Sequence, residues 1–172
     1  MVPGIVRIAL LCLVVTACSD DAPISTNNKV KPPSTDTILH QQKLRLSLPF
    51  DDERDFAEQQ RGFIAAPTYR QIVDETGNVV WDIGQYDFLI SGEEHDSIHP
   101  SLQRQATLNM NYGLFEVVPD KIYQLRGFDL ANMTLIRGEA GWILFDVLLV
   151  RETAAAALAF ANEQLGARPV TA

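Results

Sequence analysis

The stretch that most restricts the fold of this chain covers residues 122–165, which contain three strand-like segments and one helix. Residues 122–126 and 134–137 alternate or nearly alternate apolar and polar side chains, which is the period of half-buried strands. Residues 142–145, Trp-Ile-Leu-Phe, are apolar on both faces, a pattern typical of a strand in a sheet interior. The glycines in residues 138–141 permit a tight turn, so the last two strands are predicted to be neighbours.

An alanine-rich segment behind these strands predicts a helix and the start of a further strand. Residues 152–165 have high helix propensity, with an acid in the first turn and Gly166 placed to end the helix. Pro169 cannot continue a helix, and the Val-Thr pair behind it favours a strand. A crossover helix leads to a parallel strand that pairs beside the first one. An extended segment begins at Val170, but we expect this β-α-β unit to be cut at its second strand, in a chain that is the front part of a longer protein. The edge of residues 142–145 is then expected to remain open to solvent.

The first residues have the features of an export signal. Residues 8–15 form an apolar run behind Arg7, and this run is too short to span a bilayer. Residues 15–18, Val-Thr-Ala-Cys, resemble the lipobox of bacterial lipoproteins, in which residues 1–17 are removed and Cys18 carries the lipid. The alternative is an ordinary cleaved signal without a role for Cys18. We expect an exported protein on the periplasmic side of a bacterial membrane, anchored through lipid on Cys18.

The composition changes twice more before the predicted strands begin. Residues 18–47 are rich in polar residues and proline and lack apolar periodicity, which predicts a flexible tether. Further on, acids at the start of one segment and Pro100 at the start of another predict two short helices. The predicted organisation is a lipoprotein signal at 1–17, a tether at 18–47, an extension with short helices at 48–113, and the first strands and helix of an incomplete domain at 114–172.

Charge and histidine placement exclude two kinds of site. The formal net charge is −8, so no basic face is expected for a nucleic-acid partner. His95 and His99 have a spacing that on a helix would suit a metal, but Gly92 and Pro100 bracket them, which predicts a loop without a metal site. His40 is expected to be solvated. The sequence contains neither a Gly-rich phosphate loop nor a Gly-x-Ser-x-Gly elbow, so its own residues predict no complete active site.

Several motifs in a fixed order carry a resemblance to a known family. They are Phe-Asp-Asp at 50–52, Arg-Gly-Phe-Ile-Ala at 61–65, Val-Trp-Asp at 80–82, Pro-Ser-Leu-Gln-Arg-Gln at 100–105, Asn-Met-Asn-Tyr-Gly-Leu-Phe-Glu-Val at 109–117 and Ile-Tyr-Gln-Leu-Arg-Gly-Phe-Asp-Leu-Ala-Asn-Met-Thr at 122–134. Together they resemble the N-terminal portion of the alkyl/aryl sulfatases of the dodecyl-sulfate hydrolase type. The resemblance covers roughly residues 48–172 and implies an α/β (α+β) fold. This chain would be the truncated N-terminal part of a metallo-β-lactamase-type αββα sandwich, preceded by a helical and irregular extension.

The resemblance also implies a function for the full-length protein. Members of the family hydrolyse sulfate esters of long-chain alcohols, such as dodecyl sulfate, to an alcohol and sulfate. They are expected to use two zinc ions, one to lower the pKa of the attacking water and both to stabilise charge on the transferring group. The zinc-binding run would lie beyond residue 172, so the resemblance implies neither a catalytic residue nor a zinc ligand here. The chain alone is expected to be inactive, and the full-length form is a possible homodimer.

Four residues of this chain receive supporting roles by resemblance. Asp146 ends a predicted buried strand, where a carboxylate should be paired or hydrogen-bonded. The resemblance implies that it orders the loop carrying the zinc ligands; a cap for the following helix is the alternative. In the loop before the second strand, Asn132 is a candidate donor to a sulfate oxygen, and Phe128 and Met133 are candidates to line an alkyl pocket. The alternative places Asn132 in a turn and the other two in the core.

Two other functions remain open at this point. One is a different hydrolase of the same fold, such as a lactonase, a thioesterase or a β-lactamase. The other is a non-catalytic, membrane-anchored lipoprotein that binds a partner through its acidic body.

Overall fold

The computed structural model of the protein describes residues 31–172, so the predicted signal and the lipidation site Cys18 lie outside the described residues. Pro32–Ala172 form one compact unit. Among the described helices, none has the length and apolar character needed to cross a membrane. The elements in chain order are α1 (Thr35–Ser47), α2 (Arg54–Gln60), β1 (Phe63–Ala65), β2 (Gln71–Val73), β3 (Val79–Asp82), a 3-10 helix (Ile83–Ile90), α3 (Pro100–Leu108), β4 (Gly113–Val118), β5 (Ile122–Arg126), β6 (Met133–Arg137), β7 (Trp142–Phe145) and α4 (Arg151–Leu165).

A five-stranded antiparallel sheet in the order β1-β4-β5-β6-β7 forms the centre of the fold. In β5 the buried side chains are Tyr123 and Leu125, while the residues beside them are half-buried. Tyr123 lies opposite Leu135 of β6, and Leu125 lies opposite Met133. The alternation seen in the sequence therefore separates a core face from a more exposed face, and the three strands predicted between residues 122 and 145 are confirmed.

The C-terminal residues pair with β7, whose edge was expected to be open. The Trp142 amide donates to the Pro169 carbonyl at 2.7 Å, and the Thr171 amide donates to the Trp142 carbonyl at 2.8 Å. Trp142 and Val170 form a parallel bridge. A Cβ at Gly141 would lie 2.1 Å from the Pro169 oxygen, so only glycine permits this approach. β7 is thus covered on both sides, by β6 and by residues 169–172.

Helix α4 covers one face of the sheet. Its buried residues are Thr153, Ala157, Phe160 and Ala161, and it ends at Gly166, whose φ of +85° needs a glycine. The Trp142 indole donates to the Asn162 side-chain oxygen at 3.0 Å, which joins the helix to the strand it follows. The predicted helix at 152–165 is confirmed to within one residue at its start.

The structure does not divide at residue 113, where the sequence analysis places a domain boundary. Ile72, Ile83 and Tyr112 from the predicted extension share one core with Leu125 and Trp142 from the predicted domain. Strand β1 also comes from the extension, yet it pairs with β4 in the main sheet. The boundary was misplaced because the strands it separates are distant in sequence and adjacent in space.

Part of the predicted tether is a helix. Residues 35–47 form α1, in which Ser34 accepts a hydrogen bond from the Thr37 amide at 3.1 Å. Asp36 in the first turn and Arg45 in the last turn suit the helix dipole. None of the residues of α1 is buried, which explains why no apolar stripe predicted it. A flexible tether therefore remains a prediction only for the residues before Ser34.

Candidate functional site

A cavity of about 580 Å³ lies beside the loop that joins β5 to β6. One wall comes from β3, the 3-10 helix and the end of α3; the other comes from β5 and the loop itself. Pockets for small ligands are mostly apolar with a few polar groups, and their volumes are roughly 300–1,000 Å³. This cavity has that character. Its lining residues are Trp81, Ile83, Tyr86, Leu89, Ala106, Leu108, Asn109, Met110, Asn111, Gln124, Arg126, Gly127, Asp129, Leu130 and Asn132.

Arg126 is the cation of the cavity. Its guanidinium stacks over the Phe115 ring at 4.2 Å, with Nε donating to the Gln124 side chain at 2.7 Å and Nη1 donating to the Gln59 carbonyl at 2.9 Å. Within residues 31–172 no ion pair forms between Arg126 and a carboxylate. Burial lowers the pKa of Arg126, because its charge loses part of its hydration. Among the described residues, Arg126 therefore carries a positive charge that is not ion-paired with a carboxylate.

Gly127 connects the loop to the opposite wall. The Trp81 indole donates to the Gly127 carbonyl at 2.8 Å. Gly127 has φ of +78°, and a Cβ there would lie 2.9 Å from the Tyr112 ring. The Tyr112 hydroxyl in turn donates to the Tyr69 carbonyl at 3.1 Å, and burial raises the pKa of this tyrosine. A glycine is thus required at the point where the two walls of the cavity meet.

Asp129 is a buried carboxylate that joins the β5–β6 loop to the start of α4. It is 7% exposed. Oδ1 accepts from the Leu130 amide at 2.6 Å, and Oδ2 accepts from the Leu149 amide at 3.1 Å and from the Thr153 hydroxyl at 2.8 Å. Three donors satisfy the carboxylate, as burial of a charge requires. The sequence analysis did not single out this residue. No local pattern marked it, because the Leu149 amide and the Thr153 hydroxyl that donate to it lie 20 and 24 positions away in the sequence.

Asp146 does not have the buried position that was predicted for it. It is exposed at the end of β7, so its carboxylate loses little hydration, and it accepts one hydrogen bond, from the Leu148 amide at 3.1 Å. Asp146 does not cap α4 either, because the N-cap of that helix is Val150. Asp146 and Leu148 have φ of +57° and +68°. These left-handed conformations turn the chain sharply between β7 and α4, and Asp is among the residues that tolerate them.

The three predicted pocket residues separate in the structure. Phe128 and Met133 are 0% and 1% exposed and belong to the core, where the Phe128 ring packs against Tyr112 and Phe160 at 5.1 and 5.9 Å. Neither lines the cavity. Asn132 is exposed and does line it. The loop thus presents Asn132 to the cavity, while Phe128 and Met133, the first residue of β6, hold the loop to the core.

The histidines considered for a metal site lie apart from this cavity. His95 and His99 are in the loop before α3, and His99 Nδ1 accepts from the Ser101 amide at 3.2 Å. Within the described part of the chain, no three residues of His, Cys, Asp or Glu come together in a way that could hold a metal ion. Residues 31–172 by themselves therefore do not fit a zinc centre.

Three curated relatives are similar to this chain, although no family model matches it. An (R)-specific secondary-alkylsulfatase from Pseudomonas sp is 40% identical over 166 residues, which is 96% of this chain and 25% of the relative. A linear primary-alkylsulfatase from Pseudomonas sp is 42% identical over 143 residues, covering 83% of this chain and 21% of the relative. An alkyl/aryl-sulfatase from Saccharomyces cerevisiae is 40% identical over 123 residues, covering 72% of this chain and 19% of the relative.

A solved structure confirms the predicted fold class. The stereoselective inverting sec-alkylsulfatase from Pseudomonas sp. superposes with a TM-score of 0.76 and 45% sequence identity. The match covers 81% of this chain and 22% of that structure. The chain described here thus spans about a quarter or less of the length of the proteins it matches.

Proposed function

We propose that this chain, a homologue of the alkylsulfatases over most of its length, is part of an enzyme that hydrolyses sulfate esters. One observation carries the proposal: three alkylsulfatases are 40–42% identical to it over 72–96% of its residues. The resemblance predicted from the sequence motifs is thereby confirmed.

The substrates that we propose are sulfate monoesters of long-chain alcohols, such as dodecyl sulfate, which yield the alcohol and inorganic sulfate. Relatives named for primary and for secondary alkyl sulfates both match this chain, which supports an alkyl sulfate as the shared substrate class. The apolar cavity wall and Arg126 agree with a substrate of this kind, since it combines an alkyl chain with one negative charge.

We propose that the whole enzyme uses two zinc ions, held by residues other than those described here. Zinc would supply a water of lowered pKa and stabilise charge on the sulfate. In this chain, the residues that act on such a site are positioning residues. Asp129 joins two loops and α4, and Asp146 shapes the turn behind β7.

Export and lipid anchoring are also proposals. They rest on the apolar run at residues 8–15 and on the Val-Thr-Ala-Cys sequence that ends at Cys18. Metabolic labelling with a radioactive fatty acid should mark the protein in cells. Cys18→Ser should abolish the label, and equal labelling of this variant would contradict lipid attachment at Cys18.

The enzymatic proposal is tested with the protein encoded by the complete reading frame that contains this chain. Purified and supplied with zinc, it should release inorganic sulfate from dodecyl sulfate, as measured by ion chromatography. A chelator should stop the release, and zinc should restore it. Hydrolysis of a lactone, a thioester or a β-lactam without release of sulfate would contradict the proposal and indicate another hydrolase with the same fold.

A further inference from the structure

Helix α1 lies on the surface of the described chain and buries little apolar area. None of its 13 residues is buried, and both Leu39 and Leu46 are exposed. Its other large apolar residues, Ile38 and Leu44, are only half-buried. Burial of apolar surface is the main favourable term when one element packs against another. The apolar contribution that holds α1 to the body is therefore small.

The polar contacts of α1 do not compensate for this. Within residues 31–172, its hydrogen bonds are all local, and its one ion pair joins Arg45 Nη1 to the Glu94 carboxylate at 3.0 Å. Gln41 Oε1 and both Nη atoms of Arg45 are buried without a hydrogen-bond partner among the described residues. A buried polar atom without a partner loses its hydration and gains nothing in return. Docking of α1 thus loses hydration at three atoms and gains one ion pair.

A cavity of about 550 Å³ lies under the C-terminal end of α1. Arg45 lines it from the helix side, while Phe50, Phe56 and Leu89 form apolar parts of the other walls. Leu89 also lines the candidate cavity beside the β5–β6 loop. The two cavities therefore share a wall at this residue, and α1 covers the outer one.

Contacts that do not involve α1 hold the other walls of the outer cavity. The Arg104 guanidinium stacks over the Phe56 ring at 4.6 Å and donates to the Asp55 carboxylate at 2.5 Å. The Thr107 hydroxyl donates to the Leu89 carbonyl at 3.1 Å. Helix α3 thus binds α2 and the 3-10 helix directly. These walls should keep their structure when α1 moves away.

We propose that α1 is a displaceable strap, which closes the cavity under Arg45 and leaves it as a unit while the rest of the fold stays intact. Segments with few buried apolar contacts open locally in this way, far more often than the whole chain unfolds. Release removes the Arg45 wall and exposes Phe50 and Phe56 to solvent. The residues before Thr35 join the chain at the N-terminal end of α1, so a partner that holds them acts on the strap. The proposal does not rest on the sulfatase function.

Hydrogen exchange of the 172-residue chain, followed by mass spectrometry, measures the release. The amides of residues 39–47 depend on the hydrogen bonds of α1, whereas β5 lies in the centre of the main sheet. We expect the α1 amides to exchange at least about 100-fold faster than those of β5, because opening of α1 does not require global unfolding. Equal protection of α1 and β5 would overturn the proposal.

Gln41→Leu and Gln42→Leu form a matched pair that tests the buried polar atom. The two substitutions are chemically identical and lie on neighbouring residues, but Gln41 is half-buried with an unpartnered Oε1, and Gln42 is exposed. Gln41→Leu should hold the strap more tightly and slow exchange in α1 about tenfold, because it removes an unsatisfied acceptor. Gln42→Leu should leave the exchange unchanged, and equal effects of the two would contradict the docking described for α1.

Glu94→Gln and Glu93→Gln test the ion pair in the same way. Both residues line the outer cavity, but among the described residues only Glu94 pairs with Arg45. Glu94→Gln should speed exchange in α1 about twofold to fivefold, the range of a partly exposed ion pair. Glu93→Gln should not change it. If both variants speed the exchange equally, or neither does, Arg45 does not hold the strap as proposed.

Limited proteolysis distinguishes release of α1 from unfolding of the whole chain. Trypsin cleaves after Lys43 and Arg45 only when α1 is open, so cleavage there reports the open population. We expect these cuts under native conditions, identified by fragment mass, and a product beginning at Leu46 that still unfolds cooperatively. Gln41→Leu should slow the cuts and Glu94→Gln should speed them. Loss of cooperative unfolding after cleavage would overturn the proposal, because α1 would then be an integral part of the folded body.

Discussion

The Asp129 carboxylate and the Thr153 hydroxyl lie 2.8 Å apart and join the β5–β6 loop to the first turn of α4. Both side chains are buried, with exposed fractions of 7% and 1%. The same carboxylate oxygen accepts from the Leu149 amide, so one residue holds three segments of backbone together. The β5–β6 loop also lines the candidate cavity. Asp129 therefore contributes both to the stability of the fold and to the shape of the candidate site.

Asp129→Asn should destabilise the chain. Asparagine keeps one side-chain oxygen and replaces the other with an NH2 group, which is a donor. This NH2 group would face the protein donors that Asp129 accepts from, so a buried amide or hydroxyl would lose its acceptor. A loss of about 2–3 kcal/mol in the free energy of unfolding is expected. Urea unfolding followed by circular dichroism measures it.

Asp146→Asn is the matched control for that experiment. Asp146 is exposed and accepts one backbone hydrogen bond, and asparagine tolerates its φ of +57°. The free energy of unfolding should change by less than about 0.5 kcal/mol. Equal effects of the two substitutions would contradict the role given to Asp129.

Gly141→Ala should break the parallel pairing beside β7. A Cβ at this position would lie 2.1 Å from the Pro169 oxygen, so residues 169–172 must move away. The Thr171 amide should then exchange its hydrogen much faster, because its acceptor is the Trp142 carbonyl across this contact.

Gly77→Ala supplies the comparison for this steric effect. Gly77 has φ of +88°, yet a Cβ there would meet no atom within 4 Å. Strain at a positive φ costs roughly 1 kcal/mol and is confined to the β2–β3 turn. Hydrogen exchange at Thr171 should be unaffected in Gly77→Ala; if it accelerates as in Gly141→Ala, the close approach of Pro169 to Gly141 is not what holds the C-terminal strand.

Much of the sheet could be predicted from local pattern. Residues 122–126 alternate apolar and polar side chains because one face of β5 is buried. The alanine-rich residues after β7 have a high intrinsic helix propensity, which does not depend on tertiary contacts. The parallel bridge at Val170 obeys the rule that a crossover helix leads to a parallel strand, but the edge of β7 had been expected to stay open. In these elements local preference and tertiary packing favour the same structure.

Contacts between distant residues could not be predicted in this way. The Gln59 carbonyl that accepts from Arg126 is 67 positions away in the sequence, and no periodic pattern records such a pairing. Strand β1 pairs with β4 across about fifty residues, for the same reason. Phe128 and Met133 were ambiguous between pocket and core, because an apolar side chain in a loop suits either place.

Asp74 makes the stability of the β2–β3 turn depend on pH. Its carboxylate accepts hydrogen bonds from the side chains of Thr76 and Asn78, which lowers the pKa of Asp74 from 3.8 to about 2. Because the folded pKa lies below the unfolded one, this contribution is fully present above about pH 4 and is lost as the pH falls towards 2. Unfolding of wild type and Asp74→Asn should therefore differ near neutral pH and converge in acid, whereas a constant difference between pH 6 and pH 2 would contradict the lowered pKa.

We propose that this chain is part of a sulfate-ester hydrolase whose zinc ions are held by residues outside 31–172. Sulfate release from dodecyl sulfate is therefore compared between the complete reading-frame product and the 172-residue chain, each dialysed against a weak chelator after zinc loading. The complete protein should retain about two zinc ions and release sulfate, because a catalytic zinc needs about three protein ligands. The 172-residue chain should retain none and release no sulfate. Stoichiometric zinc and sulfate release by the 172-residue chain, or their absence from the complete protein, would contradict this claim.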